Sequence, residues 1–224
     1  KTAGELFGRS KLSLPVGTAG ASVEDYPISD DMLRLCIAAL TDGSIEPNGR
    51  LTIYCSPNRW LGKNIRGLLE SNGIGYSARR SGAGLFGSVD VIRLSTTDAA
   101  TITRMLKHTK SEVPHFMKLL SARQAQIAVD TWCMIDGSSR RGNRHMQCDS
   151  EPIADAMQIV AALAGYGTVK KLRRVSKING AGYSEGWIVK LHERRCKRVS
   201  KFERVRYKGD VWCPTVPSGY VVFR

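Results

Sequence analysis

Asp42 and Asp136 each close an apolar run and each stand before Gly-Ser. In the first run Leu35-Cys36-Ile37-Ala38-Ala39-Leu40-Thr41 leads into Asp42-Gly43-Ser44. In the second, Val129-Asp130-Thr131-Trp132-Cys133-Met134-Ile135 leads into Asp136-Gly137-Ser138. One Asp-Gly pair is an ordinary turn or helix cap. Two of them, 94 residues apart and each ending a buried-looking helix, suggest equivalent carboxylates brought together at a pseudo-symmetric centre. Paired carboxylates beside a basic surface suit metal-dependent phosphodiester chemistry. Ala38, Ala39 and Thr41 on one helix, and Thr131 and Cys133 on the other, are small enough to let a partner backbone come close, so the two helix ends can meet.

The elements behind each aspartate recur in the same order. Ser29 or Asp30 caps a first helix that runs to about Thr41. The turn Glu46-Pro47-Asn48-Gly49 then joins strands at 44–45 and 50–55. A helix at 58–72 ends at Asn72-Gly73, strands at 76–80 and 88–95 form a second hairpin, and a helix near 98–107 closes the half. Glu112-Val113-Pro114-His115 reads as a linker. A second key helix begins near Ser121 and ends at Ile135, a strand pair follows with its turn at Arg141-Gly142-Asn143, and a helix spans 151–164. Strands at 168–177 and 186–194 then form a hairpin across Asn179-Gly180-Ala181-Gly182. Such a duplication predicts an α+β fold of two half-domains, each sheet with one face on helices and the other open. The segment Gly82-Ala83-Gly84-Leu85-Phe86-Gly87 reads as a flexible connector; it lacks the Gly-Lys-Ser/Thr of a phosphate loop.

The net charge of +14 is unevenly spread: residues 1–116 carry 14 Lys+Arg against 11 Asp+Glu, and residues 117–224 carry 20 against 9. Between 170 and 208 fourteen basic residues face only Glu185, Glu193 and Glu203. That field attracts polyanions, nucleic acid first among them. At 42% hydrophobic residues the chain can bury a core, and no run approaches the roughly 18 residues of a membrane span. No signal peptide is visible and the first residue is not Met, which suggests an excised or processed piece. The six cysteines include no CxxC pair and the four histidines have no zinc-ligand spacing, which fits a reducing compartment. An intracellular site is expected, the cytoplasm or nucleoid of a bacterial or phage-infected cell.

Strand alternation selects DNA-contact candidates. Trp187, Val189 and Leu191 share one face, with Lys190, His192 and Arg194 on the other beside Ile188; Ile92 and Leu94 oppose Arg93. Aligning Ile92-Arg93-Leu94 with Val189-Lys190-Leu191 makes Arg93 and Lys190 equivalent. A two-stranded ribbon fits the major groove, where Arg and Lys read guanine edges and hold phosphates. The candidates are Arg50, Arg79, Arg80, Arg93, Arg140, Arg141, Arg144, Lys171, Arg173, Lys177, Lys190 and Arg194.

The paired motifs resemble those of single-chain LAGLIDADG (dodecapeptide) homing endonucleases, with 35–43 and 129–137 at the two motif positions. Pro114-His115-Phe116-Met117 before the second motif, and Asp149-Ser150-Glu151-Pro152-Ile153-Ala154-Asp155 after it, are similar to the family's flanking segments. The resemblance spans about residues 28–195. It implies two αββαββα halves, 28–116 and 117–200, about a pseudo-twofold axis, with a β-saddle over double-stranded DNA. It implies that Asp42 and Asp136 bind divalent metal at the scissile phosphates, Mg²⁺ or another cation such as Mn²⁺, with Ca²⁺ binding without supporting cleavage. Basic residues around the metal-bound water belong to the same pattern, and Lys190 and Arg93 are the choices here. The chain departs from the pattern at Leu40 and Met134, where an acidic residue often stands; that position is not the metal ligand.

The lead segment 1–27 contains an alternating Lys11-Leu12-Ser13-Leu14-Pro15-Val16, and the tail 201–224 contains Asp210-Val211-Trp212-Cys213-Pro214-Thr215-Val216-Pro217-Ser218-Gly219-Tyr220-Val221-Val222-Phe223-Arg224. The tail is similar to the closing strands of an intein-type (Hint) domain, and the lead to a matching remnant. Lys1 is no splicing nucleophile and no His-Asn pair ends the chain, so self-splicing is not expected. The expected function is site-specific cleavage of a long asymmetric DNA target by a monomer. The alternative is a non-cleaving nucleic-acid-binding protein of the same fold, an RNA maturase or a DNA-binding regulator. Retention of both aspartates favours cleavage. A structural RNA-binding protein is disfavoured by the 7% aromatic content.

Overall fold

The computed structural model describes residues 12–15, 24–84, 87–107, 112–140, 143–173, 176–178, 181–183, 185–193, 196–199, 206 and 208. The chain separates into two units: Val16–Arg195, and an outer unit made of Lys1–Pro15 with Cys196–Arg224. In the outer unit strand β1 (Leu12–Pro15) pairs antiparallel with β12 (Cys196–Val199), Leu12 opposite Val199 and Pro15 opposite Cys196. The tail after 208, on which the intein resemblance rests, lies outside the described residues.

Within the larger unit the first half runs α1 (Asp30–Thr41), β2 (Gly43–Ile45), β3 (Leu51–Cys55), α2 (Trp60–Ser71), β4 (Ser77–Gly84), β5 (Gly87–Leu94) and α3 (Thr96–Met105). After a 3-10 turn at His115–Lys118, the second half runs α4 (Ala122–Ile135), β6 (Gly137–Ser138), β7 (His145–Cys148), α5 (Glu151–Leu163), β8 (Gly167–Arg173), a small β9–β10 ladder (Ser176–Ile178 with Ala181–Tyr183), and β11 (Gly186–His192). Two antiparallel four-stranded sheets result, ordered β2-β3-β5-β4 and β6-β7-β11-β8. The order is the same in both, so this is the duplicated α+β architecture that the repeat predicts. The first half completes αββαββα; the second shows no closing helix among the described residues.

Local chemistry explains the boundaries. Ser29 Oγ accepts from the Met32 N–H at 3.1 Å, and Ser121 forms a reciprocal capping box with Gln124. The α3 helix starts at Thr96, two residues before the expected Asp98, because Ser95 is the cap and Asp98 N–H donates to its Oγ at 3.2 Å. The Gly82–Gly87 connector is corrected more strongly. The β4–β5 ladder continues through a bulge to Gly84 opposite Gly87, so glycines read as a loop are mostly strand.

The core is one cluster shared by both halves. Leu33, Leu35, Cys36, Ile37, Ala38 and Ala39 are completely buried. A helix that is apolar nearly all round must be central, and α1 packs along α4. Ala125, Ala128 and Val129 of α4 are equally buried, which keeps the seam between the helices narrow. Leu51, Ile53, Ile92 and Leu94 of the first sheet, and Met146, Val189 and Leu191 of the second, supply the sheet side of the core. No helix among the described residues is long and apolar enough to cross a membrane.

Candidate nucleic-acid interface and active site

Asp42 and Asp136 are the C-cap residues of α1 and α4. The N–H of Asp42 donates to Ala38 O and that of Asp136 to Trp132 O, both at 3.0 Å. Each carbonyl oxygen then accepts from the neighbouring strand: Asp42 O from Tyr54 N–H at 3.0 Å, Asp136 O from Gln147 N–H at 2.8 Å. Both carboxylates thus spring from backbone fixed to a helix on one side and a sheet on the other. The following glycines are required by close approach. A Cβ at Gly43 would stand 2.4 Å from Ala39 O, and one at Gly137 2.2 Å from His145 O.

The two helices run parallel. At their N-terminal ends Arg123 Nη1 donates to Asp30 at 2.8 Å, Arg123 Nε donates to Asp25 at 2.9 Å, and Tyr26 N–H donates to Gln124 Oε1 at 2.8 Å. From that common start, helices of 12 and 14 residues rise about 18 and 21 Å. Their C-terminal poles therefore emerge at the same end, and two negative helix termini favour a cation there. The surroundings of Asp136 agree. Burial pushes its carboxyl above the ordinary carboxylate range; Arg173 and then Arg59 draw it down, Asp149 pushes it up, and His145 draws it down. Arg59 belongs to the first half, so that half reaches the second half's aspartate.

Ladder register matches the halves residue by residue. Gly43 opposes Ile53 and Gly137 opposes Met146; Ile53 opposes Ile92 and Met146 opposes Val189. Arg93 and Lys190 thereby occupy the same place, both exposed, opposite Thr52 and His145. Cys55 and Cys148 correspond as well, both buried at the ends of their strands.

Alternation then divides the basic candidates. Neighbours in a strand point to opposite faces. Arg79, Arg93, Lys171 and Lys190 are exposed and share register with the open faces, and half-buried Arg173 joins them there, while Arg50 is exposed just before β3. Arg80 departs from the expectation. It opposes Asp90, whose carboxylate it holds at 2.8 Å while Arg66 of α2 stands 3.9 Å away, so it faces the helices. Arg144 departs likewise: it is paired with Asp130, donates to Tyr166 Oη at 2.7 Å and lies over the Tyr166 ring. Both residues hold the helix layer to the sheet. Arg140 is exposed just past β6. Lys177 lies in β9 opposite Gly182. Arg141 and Arg194 lie outside the described residues.

Contacts across the open face of the second sheet were not visible in the strand pattern. Arg173 Nη1 donates to Gln147 Oε1 at 2.7 Å, and Gln147 Nε2 meets His145 Nε2 at 3.0 Å. Their only sequence signal is parity, since positions 145 and 147 both alternate away from buried Met146 and Cys148.

Among the described residues no three His, Cys, Asp or Glu side chains gather into a ready metal cage. Hard cations such as Mg²⁺ do not need one, because they take one or two carboxylates and complete the shell with phosphate oxygens and water. Two cap carboxylates at helix C-termini that emerge at the same end fit that donor set.

No family profile and no curated protein matches the sequence. Solved structures do match. A variant of I-DmoI in complex with its target DNA in the presence of Mg aligns with TM-score 0.50 at 8% identity, covering 73% of this chain and 89% of that one. Mesophilic variants of the homing endonuclease I-DmoI align with TM-score 0.51 at 8% identity, covering 73% and 88%. I-DmoI in complex with DNA and Ca aligns with TM-score 0.50 at 8% identity, covering 73% and 83%. At this identity the likeness is one of fold, and the fold is the one seen in the homing endonuclease I-DmoI.

Proposed function

We propose that this chain is a site-specific double-stranded DNA endonuclease that hydrolyses phosphodiester bonds with a divalent cation, working as an intracellular monomer on a long asymmetric target. The observation that supports the proposal is the packing of α1 against α4 with their N-terminal ends joined, from which Asp42 and Asp136 would lie at one end beside the two sheets. The fold shared with DNA-bound homing endonuclease structures supports it.

Asp42 and Asp136 would hold Mg²⁺ or Mn²⁺, with Ca²⁺ binding but not supporting cleavage. A bound cation of this kind activates water and stabilises the leaving oxygen. In the hydrolysis a water oxygen joins phosphorus, one P–O bond to a deoxyribose oxygen breaks, and the proton from water ends on that deoxyribose oxygen. Arg79, Arg93, Lys171, Arg173 and Lys190 on the open faces, and Arg50 just before β3, would grip phosphates and base edges. Arg93 and Lys190, alike in register, would serve the two halves symmetrically. Residues 28–116 and 117–200 would each read half of the target. The pairing of β1 with β12 supports a host domain of the intein (Hint) type around the nuclease module.

The test is selection of cleaved sequences from a random duplex library with Mg²⁺, with Asp42→Asn and Asp136→Asn as controls. Cleavage by the parent and loss in both variants supports the proposal. Cutting by both variants would remove the proposed centre, and tight binding without cutting would point to a maturase or regulator.

A further inference from the structure

The two halves share a fold but not a chemistry on their open faces. In the second half Arg173 lies across β11 where Gly186 leaves room: a Cβ at 186 would come within 3.1 Å of its Nη2 and 2.8 Å of Cys148 O. Gln147 fixes the guanidinium from β7 at 2.7 Å and is itself braced against His145 at 3.0 Å. An amide Nε2 can only donate, so His145 Nε2 accepts in this arrangement and the ring proton belongs on Nδ1.

The first half has none of these parts. Register puts Ser81 where Arg173 stands, Val89 where Gly186 stands, Tyr54 where Gln147 stands and Thr52 where His145 stands. Val89 would fill the space that the guanidinium occupies, and Tyr54, 48% exposed, offers no amide to orient a cation. The braced arginine is therefore a one-sided feature built by four residues together. It is also tied to the metal-ligand candidate of its own half through one residue, since the Gln147 that holds Arg173 at 2.7 Å donates its backbone N–H to Asp136 O at 2.8 Å.

We propose that Arg173, laid over Gly186 and held by Gln147, grips the scissile phosphate of the DNA strand served by Asp136, so that the two strands are cut by unequal machinery. The inference rests on the endonuclease reading above. Arg173 is the phosphate-binding group, and a guanidinium suits two oxygens of one phosphate. Gln147 is a positioning residue that acts through it.

The test uses the full chain with a supercoiled plasmid carrying the selected target, beside a linear duplex of the same target with each strand end-labelled separately. Arg173→Gln should slow one strand by about 100-fold, the cost of removing one charged donor from a scissile group, and leave the other within about 3-fold, so nicked circles accumulate. Gln147→Leu should slow the same strand by about 10-fold, and Arg173→Lys should recover part of the loss. Equal slowing of both strands, or of neither, overturns the inference while the endonuclease reading stands. If the parent cuts no duplex, the endonuclease reading fails and takes this inference with it.

Discussion

The N–H of Gln147 donates to the carbonyl oxygen of Asp136 at 2.8 Å, and Tyr54 does the same for Asp42 at 3.0 Å. The peptide that carries each carboxylate is thus the first rung of a sheet as well as the last turn of a helix. The glycine after it lets the sheet start at once. Gly43→Ala or Gly137→Ala would drive a methyl into a backbone carbonyl, with an expected cost of about 1–3 kcal/mol. Urea denaturation should show that loss, and a nicking assay should show a far larger loss of cutting, because the carboxylate moves with its peptide.

On the endonuclease proposal, facing decides which cations would matter to DNA. Lys171→Met should reduce the slope of log affinity against log salt by about 1, as expected for a lost phosphate contact. Arg80→Met and Arg144→Met should leave that slope alone and lower thermal stability, since their partners Asp90, Asp130 and Tyr166 lose a bond inside the protein. Fluorescence anisotropy over a salt series, beside melting curves, separates the two outcomes.

Asp136 carries a stability cost. Its carboxyl titrates above the ordinary carboxylate range in the folded chain, chiefly because it is buried. The protonated form is therefore favoured by folding. That stability is fully present below the unfolded pKa and is lost as pH rises through the raised folded pKa. Asp136→Asn should raise the melting temperature near neutral pH and flatten its pH dependence while abolishing cleavage. At acidic pH, where part of the carboxyl is still protonated, binding of a divalent cation to the parent should release protons, measurable by calorimetry in buffers of different ionisation enthalpy.

The clamp at the other end has the opposite sign. Hydrogen bonds from Arg123 hold the Asp25 and Asp30 carboxyls below their ordinary range. That stability is present above the unfolded pKa and is lost as pH falls through the lowered folded values. Arg123→Met should lower the melting temperature at neutral pH and make acid cost less than it costs the parent.

Burial pushes the thiols of Cys36 and Cys148 up to about 12 and that of Cys55 to about 11. Thiol reagents at mildly alkaline pH should modify these cysteines only as the chain opens, so labelling followed by mass spectrometry reports opening of each half separately.

The sequence discloses the parts of this fold that periodicity and capping control. Ser29 and Ser121 open the key helices, Asp42-Gly43 and Asp136-Gly137 close them, and the alignment of Arg93 with Lys190 emerges from alternation alone. What it conceals depends on neighbours from distant strands. Arg79 and Arg80 are adjacent cations with nothing between them in type; only Asp90 across the ladder separates their roles. Gly82 and Gly84 look like a loop because their composition is that of one, yet β5 holds the segment as strand. The reach of Arg59 toward Asp136 and of Arg173 toward Gln147 arises from packing between elements and leaves no mark on periodicity.

The pairing of Pro15 with Cys196 has a consequence for how such a chain can be assembled. The main chain leaves the outer unit and returns to it at two residues that sit side by side. A segment of 180 residues, Val16–Arg195, therefore occupies the place of an ordinary hairpin connection. Chains tolerate insertion at such points because the flanking strands need not move apart to admit it. Val16–Arg195 is in this sense an insertion between two paired strands, bounded by two joins at one spot.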